Sequence, residues 1–400
     1  MPSKYFGHSE RSRGFSTRAI RSGQDPCAAT GATIVPIYQT ATFTLPNVGV
    51  TKGFDYSRTA NPTRAAFERQ IADLEEAKFG CAFGSGMAAA SAITALLRCG
   101  DHVIATADIY GGTHRLFTRY LSRFGVDTTF VDMTQPHAVQ AAMRPNTRLI
   151  WIETPTNPLL KVIDIAAIAA LKRSGQILAV DNTFASPYFQ LPLKCGADVV
   201  MHSTTKYICG HSDVVGGVVL TNDADLQEEI AFYQNAAGAI PGPWDVYLAM
   251  RGAKTLAIRM QAHEQNAITI ADFLPWLGDV THVYYPGLPS HPQHDLAKKQ
   301  MRGFGGIVSF RIAGGSERAR TVARNTRIFN LATSVGGVES LICLPASMTH
   351  GSLTAEQRGD IGVTDDLLRL SVGIEDVDDL IDDLAQAIQV GSGEVSARPV

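Results

Sequence analysis

From Lys78 to about Gly217 the chain alternates short apolar runs with stretches of helical pattern. The runs HVIATA, VDTTFV, RLIWIE, ILAVD and DVVMHS have the length and content of strands. Between them lie the helical segments GMAAASAITALLR, GTHRLFTRYLSRFG, QPHAVQAAMR and DIAAIAALKRSG. This alternation predicts a mostly parallel sheet with crossover helices. Near Trp244 a long helical pattern begins and runs towards Phe273 or Leu274, the length of a connector between two domains. Beyond it, VTHVYYPG, GGIVSFRI and DLLRLSVG read as strands, and SERARTVARNT and DVDDLIDDLAQAI as helices, which predicts a smaller α+β domain. Ahead of the sheet, residues 1–60 are polar and turn-rich and read as an arm. Pro62-Thr63 then opens a helix, TRAAFERQIADLEEAK, with an acidic face expected to meet water. The expected division is an arm over 1–60, a large cofactor-binding domain over 61–255 and a small C-terminal domain over 256–400. No internal repeat and no low-complexity stretch appears.

Composition narrows the partners. The chain has 400 residues, 45% of them hydrophobic and only 18% charged, which favours an oligomer with extensive buried interfaces. The formal net charge is -3 and no basic block or acidic tail occurs, so nucleic acid and membrane surfaces are not expected partners. Six cysteines are scattered without a C-x-x-C pair, so neither a disulfide framework nor a metal site is expected. The start, MPSKYFGHSERSRGF, lacks the apolar centre of a signal peptide, and no apolar run is long enough for a bilayer. The chain reads as soluble and cytoplasmic.

The chemistry gathers where strands end, because open parallel sheets present it at their carboxyl ends. ILAVD ends at Asp181, and the next strand runs into Ser203-Thr204-Thr205-Lys206. Lys206 has hydroxyl residues around it and no carboxylate near it in sequence, and burial of that kind lowers a lysine pKa and makes it a nucleophile towards aldehydes. Asp181, facing it, needs a cationic partner, and a protonated pyridine nitrogen is one. Pyridoxal phosphate (PLP) calls for such a lysine, such an acid and a phosphate cup. Gly84-Ser85-Gly86-Met87 opens an apolar helix whose first N–H groups suit a phosphate, although a plain tight turn accounts for the glycines equally. Ser203 and Thr205 offer two further hydroxyls, and Arg58 a bidentate charge-assisted bond; an ordinary solvated Arg is the alternative for Arg58. Tyr110 follows HVIATA and precedes Gly111-Gly112, which leaves its ring free to stack on a flat heterocycle or to pack on the core edge. Asn157, in Thr154-Pro155-Thr156-Asn157-Pro158, aims an amide at a ring oxygen or simply forms a turn. Arg369 is a charge inside an apolar strand, fitted either to clamp a substrate carboxylate or to pair with the acids at 375–383. A dinucleotide-binding reading is poor because G-S-G lacks the G-x-G-x-x-G spacing.

Taken together, these motifs resemble the Cys/Met-metabolism PLP-dependent enzymes over nearly the whole chain. The carriers are YSRTANPT (56–63), GSGMAA (84–89), DIYGGT (108–113), ETPTNP (153–158), VDNTF (180–184), HSTTKY…GHSDVVGG (202–217), SVGGVESL (334–341), PASMTH (345–350) and RLSVGIED (369–376). The resemblance implies an α/β fold of the PLP-dependent transferase fold type I, aspartate aminotransferase-like, with a mostly parallel large-domain sheet and a smaller C-terminal α+β domain. It implies that Lys206 takes the cofactor aldehyde, Asp181 the ring nitrogen and Tyr110 the ring face; Tyr110, held close to cationic groups, is also the candidate acid/base at the leaving group. Gly86, Met87, Ser203 and Thr205 hold the phosphate, joined by Tyr56 and Arg58 of a neighbouring subunit. Asn157, Ser334 and Arg369 take the substrate carboxylate. The family is typically a homotetramer of tight dimers with shared sites. Within it the chain is similar to the cystathionine γ-synthase and γ-lyase branch. Gly112 stands where methionine γ-lyases carry cysteine, and Thr333 stands where many synthases and γ-lyases carry a glutamate that recognises a distal amino group. The expected reaction is replacement at the γ-carbon of a homoserine ester by cysteine or another thiol. Elimination from cystathionine is the alternative, and a binding protein without turnover the distant one.

Overall fold

The computed structural model describes residues 13–351 and 353–390, so the first twelve residues of the expected arm, which include most of the stretch read for a signal segment, lie outside it. Two sheets organise the chain. The first has seven strands: β1 (Phe79–Phe83), β2 (His102–Thr106), β3 (Asp127–Val131), β4 (Thr147–Glu153), β5 (Ile177–Asp181), β6 (Val199–His202) and β7 (Gly217–Thr221). Their order is β1-β7-β6-β5-β4-β2-β3, and only β7 runs against its neighbours. All five strands anticipated from the apolar runs are present and parallel. β1 and β7 were not anticipated. Their residues, FGCAF and GVVLT, are short and sit at the two limits of the alternating region; β7 follows β6 with no helix between them, while β1 is a five-residue run between the helices Pro62–Glu75 and Gly86–Thr94.

The strands read as continuous apolar runs because both faces are covered. Ile150, Ile152, Leu178, Val180 and Val200 face one core, while Leu149, Trp151, Ile177, Ala179 and Val199 face the other. The first core is roofed by the helices Pro62–Glu75, Ile165–Leu171 and Pro243–Ala253, the second by Gly86–Thr94 and Ala224–Ala237.

The second sheet holds β8 (Val280–Tyr284), β9 (Ile307–Ile312), β10 (Asn330–Leu331), β11 (Leu341–Cys343) and β12 (Leu367–Ser371), in the order β10-β11-β12-β9-β8. Helices Gly315–Asn325 and Val377–Gln389 cover one face of it. The long connector pattern is broken at Lys254-Thr255 into Pro243–Ala253 and Leu256–Phe273. The second of these helices enters both cores: Leu256 and Met260 join the large one, Ala267, Ile270 and Ala271 the small one.

One expectation fails on the helix Pro62–Glu75. Its acids do not form a solvated face. Glu75 is fully buried, with Oε2 2.8 Å from His202 Nε2, and Glu68 accepts the Ala82 N–H at 2.8 Å. The reason is the approach of β1 and β6 on that side, which supplies partners for both carboxyls. Leaving either partner of such a buried bond unpaired costs about 1–3 kcal/mol. Asp73 keeps to the half-exposed edge and meets Arg18 of the helix Phe15–Arg21, whose Ala19 is buried against the large core. Residues 39–53 of the expected arm are largely exposed.

Candidate active site

The carboxyl ends of β4, β5 and β6 open on one cavity of about 220 Å³. Lys206 stands in the turn that follows β6 and donates from Nζ to Ser334 Oγ at 3.1 Å. Burial lowers its pKa to about 8, the Arg369 charge pushes the same way, and Asp181 opposes. Asp181, the last residue of β5, is buried. Burial raises its pKa, while Thr183 holds it back through bonds to Oδ1 from its hydroxyl at 2.5 Å and its N–H at 3.0 Å. Thr183 also accepts the Ser203 N–H at 2.9 Å, which ties the acid's loop to the start of the lysine's turn.

On the far wall, Ser85 caps the helix Gly86–Thr94 by accepting the Ala88 N–H, and Ser85 and Gly86, at the start of that helix, line the cavity with Ser203. A Cβ on Gly86 would stand 2.8 Å from that of Ser203; glycine is what lets the helix start come this close. Met87 and Thr205 also line the cavity. The Thr205 hydroxyl accepts the Gly216 N–H at 3.0 Å and lies 3.2 Å from the Gly216 carbonyl.

The small sheet contributes from the other side. Arg369, nearly fully buried on β12, donates from Nη1 to Asn157 Oδ1 at 2.7 Å and from Nη2 to the carbonyls of Thr333 and Ser334 at 3.1 and 3.3 Å. Among the described residues it pairs with no carboxylate, and its buried Nε has no partner. Of the acids at 375–383, Glu375 binds Ser340, and Asp383 accepts from the N–H groups of 327–329. A guanidinium held by neutral oxygens with a donor to spare suits an anionic ligand.

The structure thus brings together Lys206, Asp181, Tyr110, Asn157, Gly86, Met87, Ser203, Thr205, Thr333, Ser334 and Arg369. It does not bring Tyr56 and Arg58 to this cavity. Both are exposed, with the Arg58 guanidinium 5.6 Å from the Tyr56 ring centroid and Nη1 on the Asn235 carbonyl at 2.7 Å. The cavity residues to which the sequence reading gave no role include Thr183, two positions after the acid, and Glu153, which ends β4 just as Asp181 ends β5. That shared strand-end position was the available signal for Glu153. The donor set fits PLP: a helix start opened by glycine for a phosphate, a buried acid for a ring nitrogen and a lysine of lowered pKa for the aldehyde.

The model of the Cys/Met metabolism PLP-dependent enzyme family matches residues 16–389. The cystathionine gamma-synthase of Mycobacterium tuberculosis is 56% identical over 379 residues, 94% of this chain and 97% of that protein. The cystathionine gamma-lyase of Bacillus subtilis is 51% identical over 374 residues, 93% of this chain and 98% of that protein. The crystal structure of metB from Corynebacterium glutamicum superposes with a TM-score of 0.93 at 49% identity, covering 95% of this chain and 98% of that one. Its fold, its cavity and these likenesses agree: the chain belongs to the Cys/Met metabolism PLP-dependent enzymes.

Proposed function

We propose that the protein catalyses γ-replacement on an O-acylhomoserine. The bond from the γ-carbon to the ester oxygen breaks, the acyl group leaves as a carboxylate, and the sulfur of cysteine or another thiol takes its place. The observation that carries this reading is the contact of Lys206 Nζ with Ser334 Oγ, whose own carbonyl holds Arg369: a proton carrier stands beside a clamp for an amino-acid carboxylate. The 56% identity to a γ-synthase supports the choice of reaction. γ-Elimination from cystathionine, giving cysteine, 2-oxobutanoate and ammonia, is the second reading, favoured by the 51% identity to a γ-lyase.

When bound, PLP withdraws electrons from the α-carbon of the amino acid and so acidifies the protons there and next to it. Gly86, Met87, Ser203 and Thr205 would hold its phosphate, Asp181 its ring nitrogen, Tyr110 its face, Asn157 its ring oxygen and Lys206 its aldehyde. Asn157, Ser334 and Arg369 receive the substrate carboxylate. Lys206 moves protons, since a pKa of about 8 leaves part of the population uncharged near neutrality. Tyr110 serves as acid/base at the leaving group, and Thr333 presents a hydroxyl, not a charge, to the distal end of the substrate. Tyr56 and Arg58 complete the phosphate site of a second copy, in a cytoplasmic homotetramer built as a pair of dimers. The working units are an arm over 1–60, a large domain over 61–255 and a small domain over 256–400.

Product analysis of PLP-loaded protein tests the proposal. One reaction holds O-succinylhomoserine with cysteine, the other cystathionine alone. Cystathionine from the first supports replacement. Cysteine and 2-oxobutanoate from the second, with little product in the first, moves the assignment to the lyase. Inactivity in both defeats both readings.

A further inference from the structure

Those roles leave one buried carboxyl in the cavity without a task. Glu153 is 5% exposed at the end of β4. Both of its oxygens are occupied: Oε2 accepts the Tyr110 N–H at 2.8 Å, and Oε1 accepts the Asn157 N–H at 3.1 Å. These N–H groups belong to turns that follow different strands, β2 and β4. Each leads to a working side chain. Tyr110 offers its ring to the cavity, and Asn157 passes the constraint on through Oδ1 to Arg369 at 2.7 Å. One carboxyl therefore ties the ring wall to the carboxylate clamp.

Its neighbours explain its state. Glu153 and Asp181 are register partners on adjacent parallel strands, so the two carboxyls leave the same edge of the sheet. Burial pushes the pKa of Glu153 well above the usual carboxylate range, and the charge of Asp181 adds to this. The Tyr110 and Asn157 N–H groups oppose, and Asp108 raises it further. Asp181 is spared part of the rise by Thr183, His202 and Lys206. Both carboxyls are thus pushed up by burial, and Asp181 has partners that pull the other way.

We propose that Glu153 is a positioning residue of this site, setting the spacing between the Tyr110 ring and the Asn157–Arg369 clamp through its two backbone N–H bonds. This rests on the site reading above, and the test separates the two. Glu153→Gln keeps the shape but turns one acceptor into an NH₂ donor, which cannot accept from a backbone N–H. Glu153→Ala removes both tethers. In PLP-loaded protein the visible circular dichroism of the bound cofactor reports ring orientation. Glu153→Gln is expected to change that band, to raise KM and to lower kcat/KM by about 10²-fold, as a misplacement near 1 Å does; Glu153→Ala is expected to do more. A wild-type band and wild-type KM in Glu153→Gln, with only a lowered Tm, would make the residue a structural cap and overturn the proposal. Wild-type protein that takes up no PLP overturns the site reading and this one with it. If neither variant folds, amide exchange in the cofactor-free wild type decides: slow exchange at Tyr110 and Asn157 supports the tethers, and exchange at the rate of free loops removes them.

Discussion

Lys206 and Asp181 leave the large sheet at or just beyond the ends of neighbouring strands, whereas Arg369 sits in the middle of β12 in the small one. The first pair is placed by backbone register: β5 and β6 are hydrogen-bonded along their length, and Thr183 links the loops beyond them. Arg369 is placed by docking. It reaches the cavity because Asn157 of the large sheet and the carbonyls of Thr333 and Ser334 hold its guanidinium. The helix Leu256–Phe273 sets the distance between the halves. Its Arg259 donates to the Tyr207 carbonyl at 2.7 Å, just after Lys206, and its His263 Nδ1 lies 2.7 Å from the Val372 carbonyl, just after β12. A reactive half can thus be built from local strand order, while a recognition half depends on how two layers meet.

The halves should fail differently when altered. Lys206→Ala removes the group proposed to carry protons at the α-carbon, and turnover should fall by up to about 10⁴-fold; retention of wild-type product formation would sink the assignment. Next in size is the pH behaviour of Lys206. A lysine of lowered pKa is uncharged above that value, so cofactor-free protein should react with an aldehyde half-maximally near pH 8. At pH 7 its neutral fraction is roughly 10² times that of an ordinary lysine with pKa ≈ 10.4. Arg369→Leu should move that midpoint upward, because the guanidinium charge helps hold it down. A midpoint unchanged by Arg369→Leu would mean that the two halves are electrostatically independent.

Arg369→Leu also tests recognition. Removing a buried charged donor costs about 2–5 kcal/mol, and the loss should appear chiefly as a raised KM for the amino acid, with the visible band of the cofactor intact. Gly86→Ala strikes the other half. Its Cβ presses on Ser203, an overpacking that costs about 1–3 kcal/mol; equilibrium dialysis should find weaker PLP binding with little change in KM. Thr333→Ala should matter least. Arg369 bonds to the Thr333 carbonyl, not its hydroxyl, so the clamp survives and kcat/KM should change by less than about tenfold, one side-chain hydrogen bond at most. A larger drop would show that the hydroxyl does more than make one hydrogen bond to the substrate.

Several errors in the sequence reading share one cause. Glu75 has the position and charge of a surface residue on an amphipathic helix, and only the approach of His202 from β6 makes its burial possible. β7 escaped because its antiparallel pairing with β6 needs no crossover helix, so the alternation that marked the other strands is missing there; β1 lies between two helices, and its five residues, FGCAF, make only a short apolar run. Arg369 looked equally suited to the acids at 375–383, and two of those, Glu375 and Asp383, turned out to be taken by Ser340 and the N–H groups of 327–329.

The chain order alone determined the parallel strands, the lysine and acid at their carboxyl ends, the glycine-opened helix start and the lone arginine in an apolar strand. Period, strand length and turn residues are local properties, and the chemistry of a parallel sheet lies where its strands stop. The tertiary structure decided which polar groups are buried and what they hold: Glu153 on two turns, Glu75 on His202, Ser334 on Lys206, and Arg369 on an asparagine 212 residues away. A buried polar group takes whichever partner the packed surfaces bring to it, and no pattern of neighbours along the chain carries that information.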